Sequence, residues 1–336
     1  PGAMASRALL WVLGVLACIQ GLARTPCGDP VFRLAGRPIF AVNMVLAVIV
    51  ESLLCYPIVA LEYCGVLKGG PRRFAAQVAK LFKGALFGVL FQLCPWIRVQ
   101  IEQRALLHRV CETDRPVIFL ANHTSFMDSI VLAGHLPWAM LRRHRLLADI
   151  RFMKTPVLGR LFQAEQHIAV AFAGTKVNDF KLEKGNAEQI AAAIDIAMEA
   201  KDCLILYPEG QINKINLRVL NTFRRGSFKA AVRHDAVLWG WVAINNTVCW
   251  PTNTQLGGSP ADIICMPVEL APGGTRELLT SLGVALEAKE GGEEELLTQQ
   301  AGAVAQACQE RMQKVLDALY VKHDAAPATD SYQPLQ

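Results

Sequence analysis

Charged residues are scarce in this chain. Asp, Glu, Lys and Arg make up 19% of its 336 residues, and the mean hydropathy is +0.28. Soluble domains carry about 25% charged residues. The net charge of +5, without clusters of aromatic and basic residues, is too weak to indicate a nucleic-acid partner, but it favours an anionic lipid surface. The composition therefore predicts a membrane-associated protein that binds no nucleic acid.

The chain also lacks paired cysteines. Its ten cysteines are scattered, and no Cys-x-x-Cys pair is present, which argues against a zinc site. Several lie inside apolar runs, where a cysteine behaves as a small hydrophobic residue. We therefore predict no bound metal, reduced thiols and a catalytic part that faces the cytosol.

Three apolar runs occupy the first hundred residues. Residues 8–23 are short for a membrane span, which needs about 20 residues, and with Arg7 before them they also resemble a signal sequence. Residues 39–61 are long enough to span. Glu51 within that run is costly in lipid, so a tilted or re-entrant helix fits as well as a clean span. Residues 84–99 form the third run. The alternative is that all three are core helices of a soluble protein.

A basic segment separates the second and third runs. It reads Lys-Gly-Gly-Pro-Arg-Arg over residues 68–73. Glycine and proline favour a linker at this point, and a basic cluster beside a membrane suits the cytosolic headgroup surface. We therefore predict an exposed basic linker.

After residue 100, short apolar runs alternate with helical stretches. The segment NAEQIAAAIDIAMEA, at residues 186–200, has the apolar periodicity of a helix. Alternating strands and helices predict an α/β fold, with a mostly parallel sheet flanked by helices and preceded by N-terminal membrane-associated helices. Further helices are predicted at residues 129–136 and from a loop at 291–295 to about residue 320. Strands are predicted at residues 117–121, 168–172, 203–207, 237–244 and 263–268.

The segment PVIFLANHTSFMD places polar residues at the end of a predicted strand. His123 and Asp128 follow the strand at 117–121, and ligands of parallel sheets bind beyond the carboxyl ends of the strands. An Asp one turn inside the next helix can hold an imidazole that takes a proton from a hydroxyl. Ser125 and Asp128 also fit a capping box for that helix. The capping box leaves Asn122 and His123 unexplained.

A second strand end carries the sequence Tyr-Pro-Glu-Gly. Pro208, Glu209 and Gly210 follow the strand predicted at 203–207. Taken alone, they also fit a turn with a solvated carboxylate. Because strand ends meet at one edge of a parallel sheet, we expect Glu209 and His123 to share a crevice.

These two motifs, in this order and at this separation, resemble the glycerolipid acyltransferase family, which includes the 1-acylglycerol-3-phosphate acyltransferases. The resemblance covers about residues 100–270 and includes the segments 154–159 and 223–228. It implies that His123 is the general base and that Asp128 orients it. It also implies an acyl donor, acyl-CoA or acyl carrier protein, that enters as co-substrate, with no cofactor. Substrate-binding residues are predicted at Asn122, Ser125, Pro208, Glu209, Gly210 and Arg225.

The resemblance predicts three regions. Residues 1–99 hold hydrophobic membrane-associated segments, and residues 100–270 form the acyltransferase catalytic domain. Residues 271–336 form a C-terminal helical extension that ends in a loose tail at 325–336.

Two basic positions of the family's motifs are apolar here. Where the family commonly has Arg, this sequence has Phe172 and Ile212. Arg binds a phosphate dianion through two N–H groups, and each hydrogen bond to a charged group is worth about 1.5–3 kcal/mol. The sequence therefore favours a lysophospholipid with a phosphodiester headgroup over lysophosphatidic acid. The alternative is that other basic residues replace the two arginines, with candidates at Lys176, Arg218, Arg224 and Arg225.

We therefore predict a membrane-bound acyltransferase of glycerophospholipid synthesis or remodelling. Its partners are an acyl thioester donor, a lysophospholipid or lysophosphatidic acid acceptor, and the bilayer of the endoplasmic reticulum or another endomembrane. One alternative is a non-catalytic lipid-binding member of the same fold. Another is a metal-dependent hydrolase with His123, Asp128 and Glu209 as ligands.

Two smaller expectations concern neighbouring groups. We expect the backbone N–H groups near Thr124 and Ser125 to stabilise a developing oxyanion. We also expect His135 and His144 to lie at the surface or at an interface, without a role in the chemistry.

Overall fold

The computed structural model describes residues 28–171, 186–254, 256–287 and 292–323, together with Gly14, Cys18 and Leu22. Its strands are β1 (Ile97–Ile101), β2 (Val117–Ala121), β3 (His144–Asp149), β4 (Ile168–Val170), β5 (Cys203–Leu206), β6 (Val237–Ile244) and β7 (Ala261–Ala271). They form one sheet in the order β1-β7-β6-β2-β5-β3-β4. Neighbouring strands are parallel except β6 and β7, which are antiparallel.

Helices cover both faces of the sheet. They are α1 (Gly28–Tyr63), α2 (Gly69–Leu93), α3 (Ala105–Glu112), α4 (Met127–His135), α5 (Trp138–Leu141), α6 (Ile150–Met153), α7 (Leu158–Ala164), α8 (Asn186–Glu199), α9 (Gly226–Arg233), α10 (Asn246–Cys249), α11 (Thr275–Ser281) and α12 (Glu293–Lys322). The α/β fold predicted from the sequence, with a mostly parallel sheet behind N-terminal apolar helices, is confirmed.

The central strand β2 shows why both faces are covered. Successive side chains point to opposite faces of a strand. Ile118 and Leu120 pack into one core with α8, α9 and α12, while Phe119 packs into a second core with α2 and α4. All five residues of β2 are buried, which is why the strand is a continuous apolar run.

The predicted strand bounds hold best in the middle of the sheet. β2 and β6 have the predicted bounds, whereas β1 and β3 were not predicted. The third apolar run is interrupted at its Cys-Pro-Trp sequence, residues 94–96, because α2 ends at Leu93 and β1 starts at Ile97. The end of the strand predicted at 168–172, most of the run at 8–23 and the tail at 325–336 lie outside the described residues.

The two N-terminal helices are long and apolar enough to cross a membrane, judged by length and composition. Along one side, α1 contacts the rest of the fold at both ends: Phe32 stacks on Trp96 at 5.3 Å, and the Tyr56 hydroxyl donates to the Pro156 carbonyl at 2.7 Å. The other side of α1 exposes large apolar side chains, among them Val31, Leu34, Val42, Val45, Ile49 and Leu53.

The predicted basic linker is wrong. Residues 69–73 belong to α2, and Arg72 is 5% exposed. Its guanidinium pairs with Glu62 at 2.9 Å and donates to the carbonyls of Gln163 and Ala164. Arg73 pairs with Asp202. Both arginines therefore connect α2 to the rest of the fold, and the buried charge of Arg72 requires its close acceptors.

A cluster of buried polar side chains joins α1 and α2 to the sheet. The Lys83 ammonium bonds the Glu165 carboxylate, and His167 Nε2 lies 2.5 Å from the same carboxylate. Glu51 of α1 is buried beside the same carboxylate. Charges removed from water cost several kcal/mol each unless close partners compensate. The cluster therefore fixes where the two helices sit on the domain.

The cluster predicts a large cost for one substitution. Glu165→Gln leaves the Lys83 charge buried without a carboxylate, so we expect the free energy of unfolding to fall by about 3–5 kcal/mol. Denaturant unfolding in detergent measures this.

An exposed ion pair provides the control. Lys229 and Glu294 pair at 2.6 Å on the surface, so Glu294→Gln should leave the unfolding midpoint unchanged. The double variant Lys83→Met with Glu165→Leu should recover much of the lost stability. Equal midpoints for Glu165→Gln and Glu294→Gln would show that the cluster does not hold the helices.

Candidate active site

Three polar segments meet at one edge of the sheet. β2 lies between β5 and β6 and is parallel to both, so the carboxyl ends of the three strands are neighbours. His123 follows β2, Glu209 follows β5 and Asn246 follows β6. This edge is where ligands of such sheets bind.

His123 and Asp128 form a hydrogen-bonded pair. His123 Nδ1 lies 2.9 Å from Asp128 Oδ2. The Asp128 side chain is 3% exposed and the His123 side chain 17% exposed, so the carboxylate is enclosed while the imidazole can be reached. Since Nδ1 faces a carboxylate, it carries the ring proton, and Nε2 is left as a proton acceptor.

Asp128 also orders the chain around it. Its Oδ2 accepts hydrogen bonds from the backbone N–H groups of Thr124, at 2.7 Å, and Ser125, at 3.0 Å. Its Oδ1 accepts from the side-chain amide of Asn246. The predicted capping of α4 and the predicted contact with His123 are thus made by the same carboxylate. The expectation that these two N–H groups stabilise an oxyanion is wrong, because both already donate to Asp128.

Tyr207 packs against one face of the His123 imidazole. Its ring stacks on the His123 ring, with the centroids 4.0 Å apart and the planes 19° from parallel. The Tyr207 hydroxyl lies 2.8 Å from the Ser129 hydroxyl. Burial raises the pKa of the Tyr207 phenol, so the ring stays neutral beside the base. Together with Asp128, this contact fixes the plane of the imidazole.

Glu209 connects the two motifs. Its Oε1 accepts from the His123 backbone N–H at 3.0 Å, and its Oε2 accepts from the Asn221 N–H at 2.9 Å. Burial raises the pKa of this carboxyl, although the two N–H groups oppose the effect. Glu209 therefore ties the end of β2 to the loop at residues 207–225. Its predicted role in substrate binding stays a prediction.

The turn after β5 brings an arginine to the site. Gly210 has φ +70°, and a Cβ there would lie 2.2 Å from Arg224 Nε. The Arg224 N–H donates to the carbonyl of the buried Pro208 at 2.9 Å. A guanidinium therefore lies against the Glu-Gly turn, where the family's motif commonly has an Arg and this chain has Ile212.

The other basic residues named from the sequence lie elsewhere. The Arg225 guanidinium lies beside Gly302 of α12, with Nε 3.5 Å from where a Cβ would be, so its predicted substrate contact stays a prediction. Arg218 stacks over the Tyr320 ring at 4.7 Å. Lys176 and Phe172 lie outside the described residues.

Asn122 and Ser125 hold the scaffold of the site. The Asn122 amide donates to the Ala243 carbonyl at 2.9 Å and accepts from the Ala243 N–H at 2.8 Å. The Ser125 hydroxyl donates to the Trp250 carbonyl at 2.7 Å and accepts from the Met127 N–H at 3.1 Å. The predicted roles of Asn122 and Ser125 in substrate binding stay predictions.

The C-terminal helix supports the loop at residues 207–225. Gln309 Oε1 accepts from the Phe223 N–H at 3.0 Å, and Gln313 Oε1 accepts from the Leu220 N–H at 2.8 Å. Backbone N–H groups need partners when they leave water. These two glutamines supply them, so α12 sets the path of the loop.

A histidine cluster lies apart from this edge. His144 is 2% exposed at the start of β3, so its expected surface position is wrong; His135 lies against the Phe91 ring of α2. His144, Glu165 and His167 are close enough to hold a metal ion. His167 Nδ1 accepts from the Leu146 N–H, so Nε2 carries the proton and donates to Glu165. The group is therefore arranged as an ion-paired network with Lys83 rather than as three open lone pairs.

Comparison with known proteins supports the chemistry of this edge. Residues 98–242 match the family model described as Acyltransferase. This segment contains His123, Asp128 and Glu209. The match supports the glycerolipid acyltransferase family, which the two sequence motifs resemble.

The acyltransferase fold extends beyond that segment. The structure resembles the crystal structure of the 1-acyl-sn-glycerophosphate (LPA) acyltransferase PlsC from Thermotoga maritima, with a TM-score of 0.50 and 14% sequence identity. The match covers 85% of this chain and 99% of that chain. At this identity the likeness shows the fold. No curated protein matches the chain in sequence.

Sequence reasoning missed several residues of the acyltransferase site. Asn246 follows the end of β6, so the rule that found His123 and Glu209 points to it as well. Tyr207 was quoted within its motif, but nothing in the sequence shows that its ring stacks on His123. Gln309 and Gln313 are one helical turn apart on α12, and no local pattern signals their contacts.

The turn after β5 gives a direct test. In Gly210→Ala, a Cβ collides with Arg224, and a non-glycine residue at positive φ costs about 1–3 kcal/mol. We expect the acyl-transfer rate to fall at least about tenfold while the fold persists. The rate and the circular dichroism spectrum measure the two effects.

A second glycine provides the matched control. A Cβ on Gly226, the first residue of α9, meets nothing within 4 Å. Gly226→Ala should therefore keep the wild-type rate. If Gly210→Ala were equally active, the turn and Arg224 would not matter to the reaction.

Proposed function

We propose that this acyltransferase transfers a fatty acyl group from acyl-CoA or acyl carrier protein to a hydroxyl of a lysoglycerophospholipid. The observation that carries the proposal is the pairing of His123 with the buried Asp128, which leaves Nε2 as a base at the ligand-binding edge of the sheet. Such a base needs no nucleophile from the protein, because the acceptor supplies its own hydroxyl.

The reaction proceeds in two proton-transfer steps around one acyl transfer. His123 Nε2 takes the proton as the hydroxyl oxygen attacks the thioester carbonyl, and Asp128 stabilises the imidazolium. The new C–O bond forms, the C–S bond breaks, and the imidazolium returns the proton to the leaving sulfur. Positioning of both substrates at the strand edge supplies much of the rate.

The acceptor class follows from the charge near the Glu-Gly turn. Arg224 lies against Gly210, whereas Arg218 stacks on Tyr320 and Arg225 lies beside Gly302. Among the basic residues named from the sequence that the structure describes, Arg224 is the one whose guanidinium lies at this turn, with its Nε 3.4 Å from the Glu209 carbonyl oxygen. A single guanidinium suits the one charge of a phosphodiester, whereas a monoester carries nearly two. A lysophospholipid with a capped headgroup therefore fits better than lysophosphatidic acid.

The exposed apolar side of α1 supports membrane association. Its large apolar side chains are continuous along the helix, and contiguous patches of this kind mark lipid or protein contacts. The cysteines in the described part of the chain are free thiols, as expected in a reducing compartment. We therefore place the domain at the cytosolic face of the endoplasmic reticulum or another endomembrane.

The reaction is tested with purified protein in detergent. Labelled acyl-CoA or acyl carrier protein is offered with glycerol-3-phosphate, lysophosphatidic acid and lysophospholipids with choline, ethanolamine, glycerol and serine headgroups. We expect transfer that prefers the phosphodiesters. His123→Ala should lose about 10²–10⁴-fold in rate because it removes the base, while the control His108→Ala, on the exposed side of α3, should keep it. No transfer with either donor would overturn the proposal.

A matched pair of arginine variants tests the acceptor site. Arg224→Met should raise KM for the acceptor by about 10- to 100-fold, the equivalent of losing one charged hydrogen bond, with KM for the thioester unchanged. Arg225→Met should leave both values as they are. The reverse result would give the phosphate contact to Arg225, as the sequence predicts.

A further inference from the structure

We propose that Asn246 is a positioning residue for acyl transfer: its side-chain amide fixes the Asp128 carboxylate so that Oδ2 faces His123. The inference rests on the proposed role of His123 as the base. Asn246 is 1% exposed, and its Nδ2 donates to Asp128 Oδ1. It acts through Asp128 and does not itself face the imidazole.

The position of Asn246 is set by the neighbouring strand. It is the first residue of α10 and is separated from β6 by one residue, Asn245, which has φ +67°. Asn122 clamps Ala243 of β6 by two hydrogen bonds. The end of β6 is therefore held against the end of β2, and the left-handed residue turns the next side chain toward Asp128.

The chemistry calls for a neutral donor at this position. Oδ2 of Asp128 accepts from His123 and from two backbone N–H groups, so Oδ1 is the oxygen that still requires a partner. A buried carboxylate oxygen without a donor is costly. A Lys or Arg would satisfy it but would also cancel the negative charge that supports the imidazolium. An amide satisfies the oxygen and leaves the charge in place.

The oxygen of the Asn246 amide, unlike its nitrogen, is left without a hydrogen bond among the described residues. This atom, Oδ1, is buried. Buried polar atoms are normally paired, and an unpaired one destabilises the fold. Stability alone therefore does not explain an asparagine at this position. The amide is oriented by its donor bond to Asp128, which is the bond that the reaction uses.

Among the described residues, titratable side chains near Asp128 include His123, Tyr207, Glu209 and Cys265. Burial raises the pKa of both Tyr207 and Cys265, so both are neutral near pH 7. Glu209 is held by backbone N–H groups, and Arg224 lies beyond it at Gly210. A variant that changes the hydrogen bonds of Asp128 can therefore be recognised in the pH profile of the reaction.

The test uses the full chain in detergent and the acceptor preferred by the wild type. Asn246→Ala and Asn246→Leu, which keeps the branched shape of asparagine without its donor, are compared with wild type, His123→Ala and the control Asn245→Gly. Asn245 is the adjacent asparagine, and its side-chain amide donates to the Asp262 carbonyl instead of to Asp128. Glycine tolerates the positive φ of this position. The measurements are kcat, KM for both substrates, the pH profile of kcat/KM and the midpoint of thermal unfolding.

We expect both Asn246 variants to lower kcat by about 10- to 100-fold, with each KM changed less than about threefold. Each variant removes the amide donor that shares the Asp128 charge, so the imidazole senses more of that charge and the acidic limb of the pH profile should move to higher pH. Asn245→Gly should match wild type. If Asn246→Ala does not fold, Asn246→Leu, which keeps the branched shape of the side chain, carries the test alone.

Two outcomes separate the inference from the proposed function. If His123→Ala is inactive while the folded Asn246 variants keep the wild-type kcat and pH profile, Asn246 does not position the pair, and the proposed reaction stands. A fall in kcat with an unmoved pH profile also overturns the inference, because it marks a structural role. If the wild type transfers no acyl group, or His123→Ala is as active as wild type, the proposed function itself fails.

Discussion

The site depends on one buried carboxylate and its need for hydrogen-bond donors. Asp128 is enclosed by the fold, and an ionised group in such a place persists only when its oxygens are paired. Four donors reach it, from the chain before α4, from the imidazole of His123 and from the end of β6. The same bonds that stabilise the charge also set the tautomer of the base. The stability of Asp128 and its function are thus not separable.

This constraint explains how the surrounding elements are arranged. The donors come from two adjacent strands, so the register of β2 with β6 has to be held, and Asn122 holds it through Ala243. On the other side of β2, Glu209 links the backbone N–H of His123 to the loop after β5. The order of the strands therefore sets the spacing of the three polar segments along one edge of the sheet. The helices on its faces keep water from the core beneath them.

Sequence reasoning predicted the parts of this arrangement that have local signatures. β2 and β6 are continuous apolar runs with polar ends, so their bounds could be predicted, and His123 and Glu209 follow from the rule for strand ends. β3 has polar residues at both ends and only three apolar residues between them, and β1 follows a helix after a short turn, so neither stands out. Arg72 lies next to glycines and a proline, so the sequence predicted a linker there. Only tertiary contacts show that Arg72 pairs with Glu62 and donates to the carbonyl of Ala164 in α7. Contacts between distant segments, such as Gln313 with Leu220, leave no pattern in either segment.

The support of the loop by α12 has a consequence for the order in which the protein is completed. Every strand of the sheet precedes α12 in the chain, so a growing polypeptide can form the His123–Asp128 pair before the helix exists. The N–H groups of Leu220 and Phe223 then have water instead of Gln313 and Gln309 as partners. A nascent or proteolytically shortened chain can therefore hold the His123–Asp128 pair before the loop at residues 207–225 has its support, and the docking of α12 completes this edge of the sheet late in folding.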